Sequence, residues 1–140
     1  MKKLFFTLVA IALTAAVLIP GCGKNNFGAY ESALSELISA KEKFISDAAG
    51  AANAQALKDS TKAYISGIDK FLTTRTDLFM KHPGLTDRGP YPESFEKLRQ
   101  RSSELDTKVD DVVVQAIQKF QNDPGVISTW EELVAKKGSI

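Results

Sequence analysis

Residues 92–121 read PESFEKLRQRSSELDTKVDDVVVQAIQKFQ, and their period decides the fold. Phe95, Leu98, Ser102, Leu105, Val109, Val112 and Ala116 recur at alternating steps of three and four, with Ser102 the single polar member. That spacing is the seam of a helix packed in a bundle. Val113, Ile117 and Phe120 take over as the stripe drifts around the helix. Pro92 suits the first helical position, where a missing N–H costs nothing, and Glu93 and Glu96 put negative charge at the positive end of the helix dipole. Glu93/Lys97 and Glu104/Lys108 stand four apart with the acid first, each pair adding a few tenths of a kcal/mol.

Upstream, His82-Pro83-Gly84 ends a preceding helix, and three prolines keep residues 82–92 irregular. That helix spans about Ala54 to Lys81, with a seam of Leu57, Thr61, Tyr64, Ile68, Phe71, Arg75, Leu78 and His82. Ile65, Leu72 and Phe79 widen the stripe, as a helix with two neighbours requires. Arg75 can lay its stem on the core and keep its head wet. Before it, Tyr30, Ala33, Leu34, Leu37, Ile38, Phe44, Ile45 and Ala48 form one face of a first helix ending at Ala49. A single helix through this region would run on the order of 75 Å, too long for a small domain, so a turn is expected at Gly50–Asn53 with Asn53 capping the second helix.

Downstream, Asn122-Asp123-Pro124-Gly125 reads as a turn. A short last helix then follows, capped by Ser128 or Thr129 with Glu131 or Glu132 completing a capping box. Too short to stand alone, it must dock through Trp130, Leu133 and Val134, with Trp130 against the ends of the longer helices. The expected fold is all-α, an antiparallel bundle over residues 30–140 with three long helices and a short C-terminal one. The second and third helices should form a hairpin, the first lying along it and the fourth closing one end. Such seams also dimerise readily, so a homodimer could supply a fourth long helix.

The chain opens differently. Lys2 and Lys3 precede an uncharged run from Leu4 to Ile19, then Pro20, Gly21 and the sole cysteine, Cys22. The run is about 24 Å long as a helix, short of the roughly 30 Å hydrocarbon core, and Pro20-Gly21 ends it where a peptidase must reach. It reads as a secretory signal. Residues 1–22 resemble the signal of a bacterial lipoprotein, with Ile19-Pro20-Gly21-Cys22 at the lipobox. Ile19 fits the branched aliphatic position and Gly21 the small one, while Pro20 stands where Ala, Ser or Thr is usual. The resemblance implies diacylglyceryl transfer to the Cys22 sulfur, cleavage before Cys22, and acylation (such as palmitate) of the new amine. With Gly23 rather than Asp following, it implies the outer membrane of a diderm, or the outer face of the plasma membrane in a monoderm. An ordinary secretion signal with an incidental cysteine and an uncleaved anchor are the alternatives. The expected division is a signal peptide at 1–21, a lipidated N-terminus and tether at 22–29, and the bundle at 30–140.

Composition removes several classes of function. Without Lys2 and Lys3, 16 basic residues face 17 acidic ones, leaving no field to hold a nucleic acid. One cysteine makes no intrachain disulfide and no zinc cluster. Met80 and His82, two apart on a helix, point in nearly opposite directions and cannot share an iron. The Glu-x-x-His spacing of di-iron bundles is absent, and Asp106, Asp110 and Asp111 read as a solvated face, as do Lys97, Arg99 and Arg101. No nucleophile motif or phosphate loop occurs. No catalytic residue, metal ligand or cofactor is therefore assigned, and Cys22 is the one site residue. The expected function is a non-enzymatic envelope lipoprotein that meets an envelope protein partner. The alternative is a carrier of a lipid or small apolar ligand between helices lined by Tyr64, Phe71, Phe79, Phe95 and Phe120. The loop at 82–92, with Leu85, Asp87, Arg88 and Tyr91, is a candidate contact segment.

Overall fold

A computed structural model describes residues 27–83 and 90–140. The signal at 1–21, Cys22, the tether to position 26, and Leu85, Asp87 and Arg88 of the loop lie outside the described residues. The described residues form an all-α bundle of four helices: α1 (Phe27–Ala49), α2 (Ala54–Lys81), α3 (Glu93–Phe120) and α4 (Pro124–Lys137). Among the described residues there is no strand, and no helix is long and apolar enough to cross a membrane.

The helix ends follow local chemistry. Asn53, in extended backbone, accepts a hydrogen bond from the Ala56 N–H at 2.9 Å and starts α2 where the sequence places it. His82 ends that helix, its N–H donating to the Leu78 carbonyl at 2.8 Å. Pro92 is the residue before α3 rather than its first residue, because its backbone is extended.

At the fourth helix the sequence reading needs correction. Asp123-Pro124-Gly125 opens α4 instead of forming a free turn. The Asp123 carboxylate accepts from the Val126 N–H at 3.1 Å, with Pro124 in the first turn where its ring is tolerated. Thr129 lies inside the helix and donates back to the Gly125 carbonyl at 2.7 Å, so neither it nor Ser128 is a cap. Burial would raise the Asp123 carboxyl, but the Val126 N–H and the Lys58 ammonium outweigh it and hold the group below the usual carboxylate range.

The pairing of helices also differs from the expected α2/α3 hairpin. Phe44 stacks on Tyr64 and Glu36 pairs with Lys70, so α1 and α2 run antiparallel. Glu31 meets Ser94 and Glu42 meets Arg101, so α1 and α3 run parallel. Lys58 meets Asp123 and Asp69 meets Lys136, laying α4 parallel to α2 along its side rather than across one end. The helices thus occupy four corners, with α1 between α2 and α3, α4 opposite α1, and α2 and α3 on the diagonal. The reason lies in α1: its apolar face is wide enough to serve both long helices, burying Leu34, Leu37, Ile38, Phe44 and Ala48.

One close approach sets the α1–α2 spacing. A Cβ at Gly67 would stand 2.8 Å from the Ala40 Cβ, so the backbones meet as closely as a glycine allows. Inside, Phe44, Leu57, Val113, Ala116 and Val126 leave a void of only about 20 Å³, room for roughly one water. Trp130 lines the same void, which docks α4 as the sequence required.

Candidate functional site

Two polar features interrupt this core, and they adjoin. The first is Lys41, 1% exposed on the α1 seam. Tyr30, Leu34, Leu37, Phe44 and Ala48 occupy the other seam positions, so the helix period forces this lysine inward. Facing it across the α1–α3 interface is Ser102, the one polar member of the α3 seam. The Lys41 ammonium donates to the Ser102 hydroxyl at 2.8 Å and the Ser102 carbonyl at 3.1 Å, and it pairs with an Asp106 oxygen at 2.7 Å. All three ammonium protons are used. Burial pulls the Lys41 pKa below the ordinary lysine value, and the Asp106 hydrogen bond and charge oppose that pull.

From α2, Tyr64 adds a hydroxyl that is fully buried and without a hydrogen-bond partner among the described residues. Burial, with the nearby charges of Asp106 and Asp110 adding to it, pushes this phenol well above the ordinary tyrosine range. The three aspartates of α3 therefore split: Asp106 pairs with Lys41, Asp110 with Lys137, and Asp111 stays exposed.

The second feature is a cleft of about 250 Å³ between α2 and α3, below the end of α4. Tyr30, Phe71 and Phe95 provide its aromatic surface, Arg75 and Arg99 border it, and Ser102 and Asp106 join it to the Lys41 cluster. The rings are ordered by one another. Tyr30 stacks on Phe71 with centroids 6.1 Å apart, meets Phe79 edge-on at 5.6 Å and lies 4.6 Å from Phe95. Phe27 and Tyr91 extend the group to the end of the bundle. Each such pair contributes about 0.5–1.5 kcal/mol beyond its buried area.

Both guanidiniums lean on this group. Arg99 lies 4.9 Å over the Tyr91 ring and Arg75 lies 5.9 Å over Phe71, with its head donating to the Ile140 main-chain oxygen at 2.7 Å. The Arg75 head, expected in water, thus lies against Phe71 and Ile140.

Of the aromatic residues singled out in the sequence, Phe71, Phe79 and Phe95 are brought together, whereas Tyr64 stacks on Phe44 and Phe120 sits at the opposite end beneath Lys119. Tyr91 is packed against the core, and His82 serves as the α2 cap. Met80 is 68% exposed. Lys97 and Arg101 pair with Glu93 and Glu42 on the surface, and the Glu42 hydrogen bond and charge raise the Arg101 pKa further. Among the described residues, no group of three His, Cys, Asp or Glu side chains could hold a metal ion.

Sequence reasoning missed Lys41 and Ile140, and it placed Tyr30 on the apolar face of α1 without its role in the cleft. A signal existed for Lys41: Tyr30, Leu34, Leu37, Lys41, Phe44 and Ala48 repeat at steps of four and three. Comparison with known protein families, with curated proteins and with solved structures finds no match.

Proposed function

We propose that this chain is a non-enzymatic lipoprotein of the cell envelope, held at the bilayer by acyl chains on Cys22, whose bundle meets a partner protein there. One observation carries the reading: a charged start, an uncharged run, then Gly21 before the sole cysteine. Acyl chains contribute about 0.8 kcal/mol per buried CH₂, so several hold a protein almost permanently. The start of α1 at Phe27 supports it, because the few intervening residues reach at most roughly 18 Å. On this reading the end of the bundle with Phe27, Tyr91 and the exposed Met80 faces the bilayer. Support for a non-enzymatic role comes from Lys41, the one deeply buried cation among the described residues, whose donors are all spent within the fold.

Fractionation of cells expressing the parent and Cys22→Ser tests the anchor. The parent should pellet with membranes and take up labelled fatty acid, and the variant should do neither. A Cys22→Ser chain that stays with membranes as the parent does overturns the reading.

A second reading, a carrier of a small ligand, is favoured by the α2–α3 cleft. The void at Phe44 holds only about one water, so on this reading the ligand binds in the cleft.

A further inference from the structure

The cleft combines an apolar surface with two guanidiniums. Asp106 lines it, but the Lys41 ammonium at 2.7 Å neutralises that carboxylate. Arg99 has Glu96 at 3.5 Å, at the edge of a hydrogen bond. Arg75 has no Asp or Glu partner among the described residues. Two guanidiniums from opposite corners of the bundle therefore border one aromatic surface, one loosely paired with Glu96 and the other held by a main-chain oxygen.

What Arg75 does hold is informative. Its guanidinium donates to the Ile140 main-chain oxygen, and Ile140 itself lines the cleft. The chain thus places an oxygen of its own residue on the guanidinium, at the border of the aromatic cleft.

We propose that this cleft binds a small amphipathic anion, a carboxylate carrying a short alkyl or aryl group, in competition with Ile140. Arg75 and Arg99 hold the carboxylate, and Tyr30, Phe71 and Phe95 take the apolar part. A guanidinium suits this role because its planar fork matches a carboxylate and it stacks on aromatic faces without losing its donors. At about 250 Å³ the cleft lies just under the roughly 300 Å³ at which pockets begin to take drug-sized molecules, which limits the ligand to a short chain or single ring. The proposal rests on the carrier reading and gives its ligand a chemical class.

The test is calorimetric titration of octanoate, and of 1-octanol as its uncharged counterpart, into the full chain in phosphatidylcholine nanodiscs, with empty nanodiscs as reference. Saturable octanoate binding is expected, roughly tenfold or more weaker after Arg75→Gln, as loss of a charged hydrogen bond implies. Arg99→Gln should weaken it too, Ile140→Gly should strengthen it, and octanol should bind at least about tenfold more weakly than octanoate. Circular dichroism checks that each variant keeps its helices, and if Arg75→Gln does not, Arg99→Gln decides. Octanoate and octanol binding alike, indifferent to both arginines, overturns the anion site and leaves the carrier reading standing. No saturable binding of either overturns both.

Discussion

Replacing Lys41 by methionine should make this protein more stable, although the lysine makes three polar contacts. The ammonium is 1% exposed and donates to Ser102 twice and to Asp106 once. Bringing a cation that far from water costs several kcal/mol, and one ion pair with hydrogen bonds returns about that much. The lowered pKa of Lys41 says that burial is the larger effect. Removing one partner of a buried pair is ordinarily harmful because the other charge is stranded. Here the other charge is Asp106, whose side chain is 41% exposed and can be rehydrated. Methionine keeps the unbranched stem and completes an apolar seam between Leu37 and Phe44.

The expected gain for Lys41→Met is about 1–3 kcal/mol at neutral pH, read from urea unfolding by circular dichroism with an unchanged slope. Lys41→Ala, which also leaves a cavity, should fall about 2–4 kcal/mol below Lys41→Met. The pH dependence has a definite sign. The folded state binds the Lys41 proton less tightly than the unfolded chain, so the parent gains stability as pH rises from the lowered folded value towards 10.5. The advantage of methionine should therefore shrink on the alkaline side. A Lys41→Met protein less stable than the parent by more than about 1 kcal/mol, or an advantage that grows with pH, would refute the reasoning.

Two further substitutions probe the same core. Tyr64→Phe removes a buried hydroxyl without a partner among the described residues, and should leave stability equal or up to about 1–3 kcal/mol higher. Because the Tyr64 pKa is raised in the fold, its contribution is present below pH 10 and lost above it, so the variant should also resist alkaline unfolding better than the parent. Gly67→Ala should lower stability by up to about 2 kcal/mol in thermal unfolding, since the added methyl meets the Ala40 Cβ at 2.8 Å and this outweighs the roughly 1 kcal/mol that alanine gains in a helix; an increase would show that α1 and α2 separate freely.

How much of this was legible depends on the range of the interaction. The α2 boundaries were readable because Asn53, His82 and Pro83 act within a turn of the backbone they cap. The start of α4 was misjudged for the same kind of reason, since Asp123-Pro124-Gly125 suits a turn and a helix start equally, and docking of Val126 and Leu133 decided between them. Which helices adjoin was not legible at all. A seam shows that a helix is buried but not by what, and a short chain distance between α2 and α3 suggested a hairpin that the wide face of α1 prevents. Lys41 was hidden by habit of composition: a lysine among apolar residues is ordinarily placed on the surface, although its register put it inside opposite Ser102. The cleft lay beyond reach because it is made by Arg75, Arg99 and Ile140, which are distant in sequence and carry no pattern.

The cleft follows from a mismatch of lengths. At 1.5 Å per residue, α2 and α3 with 28 residues each run about 42 Å, and α4 with 14 about 21 Å. Over half the bundle α4 fills the fourth corner, and there Leu57, Val113, Ala116, Val126 and Leu133 pack with Phe44, Tyr64 and Trp130. Over the other half no helix stands opposite α1, yet α2 and α3 must still be held on the diagonal. Larger side chains bridge that gap, and Tyr30, Phe71, Phe79, Tyr91 and Phe95 gather at this end. They cannot close it completely, and Gly138–Ile140, released as α4 ends, falls across the remainder. The aromatic cluster, the open cleft and the residue lying in it are thus three consequences of one short helix, and the end of the molecule where they meet is the end from which the chain leads back to Cys22.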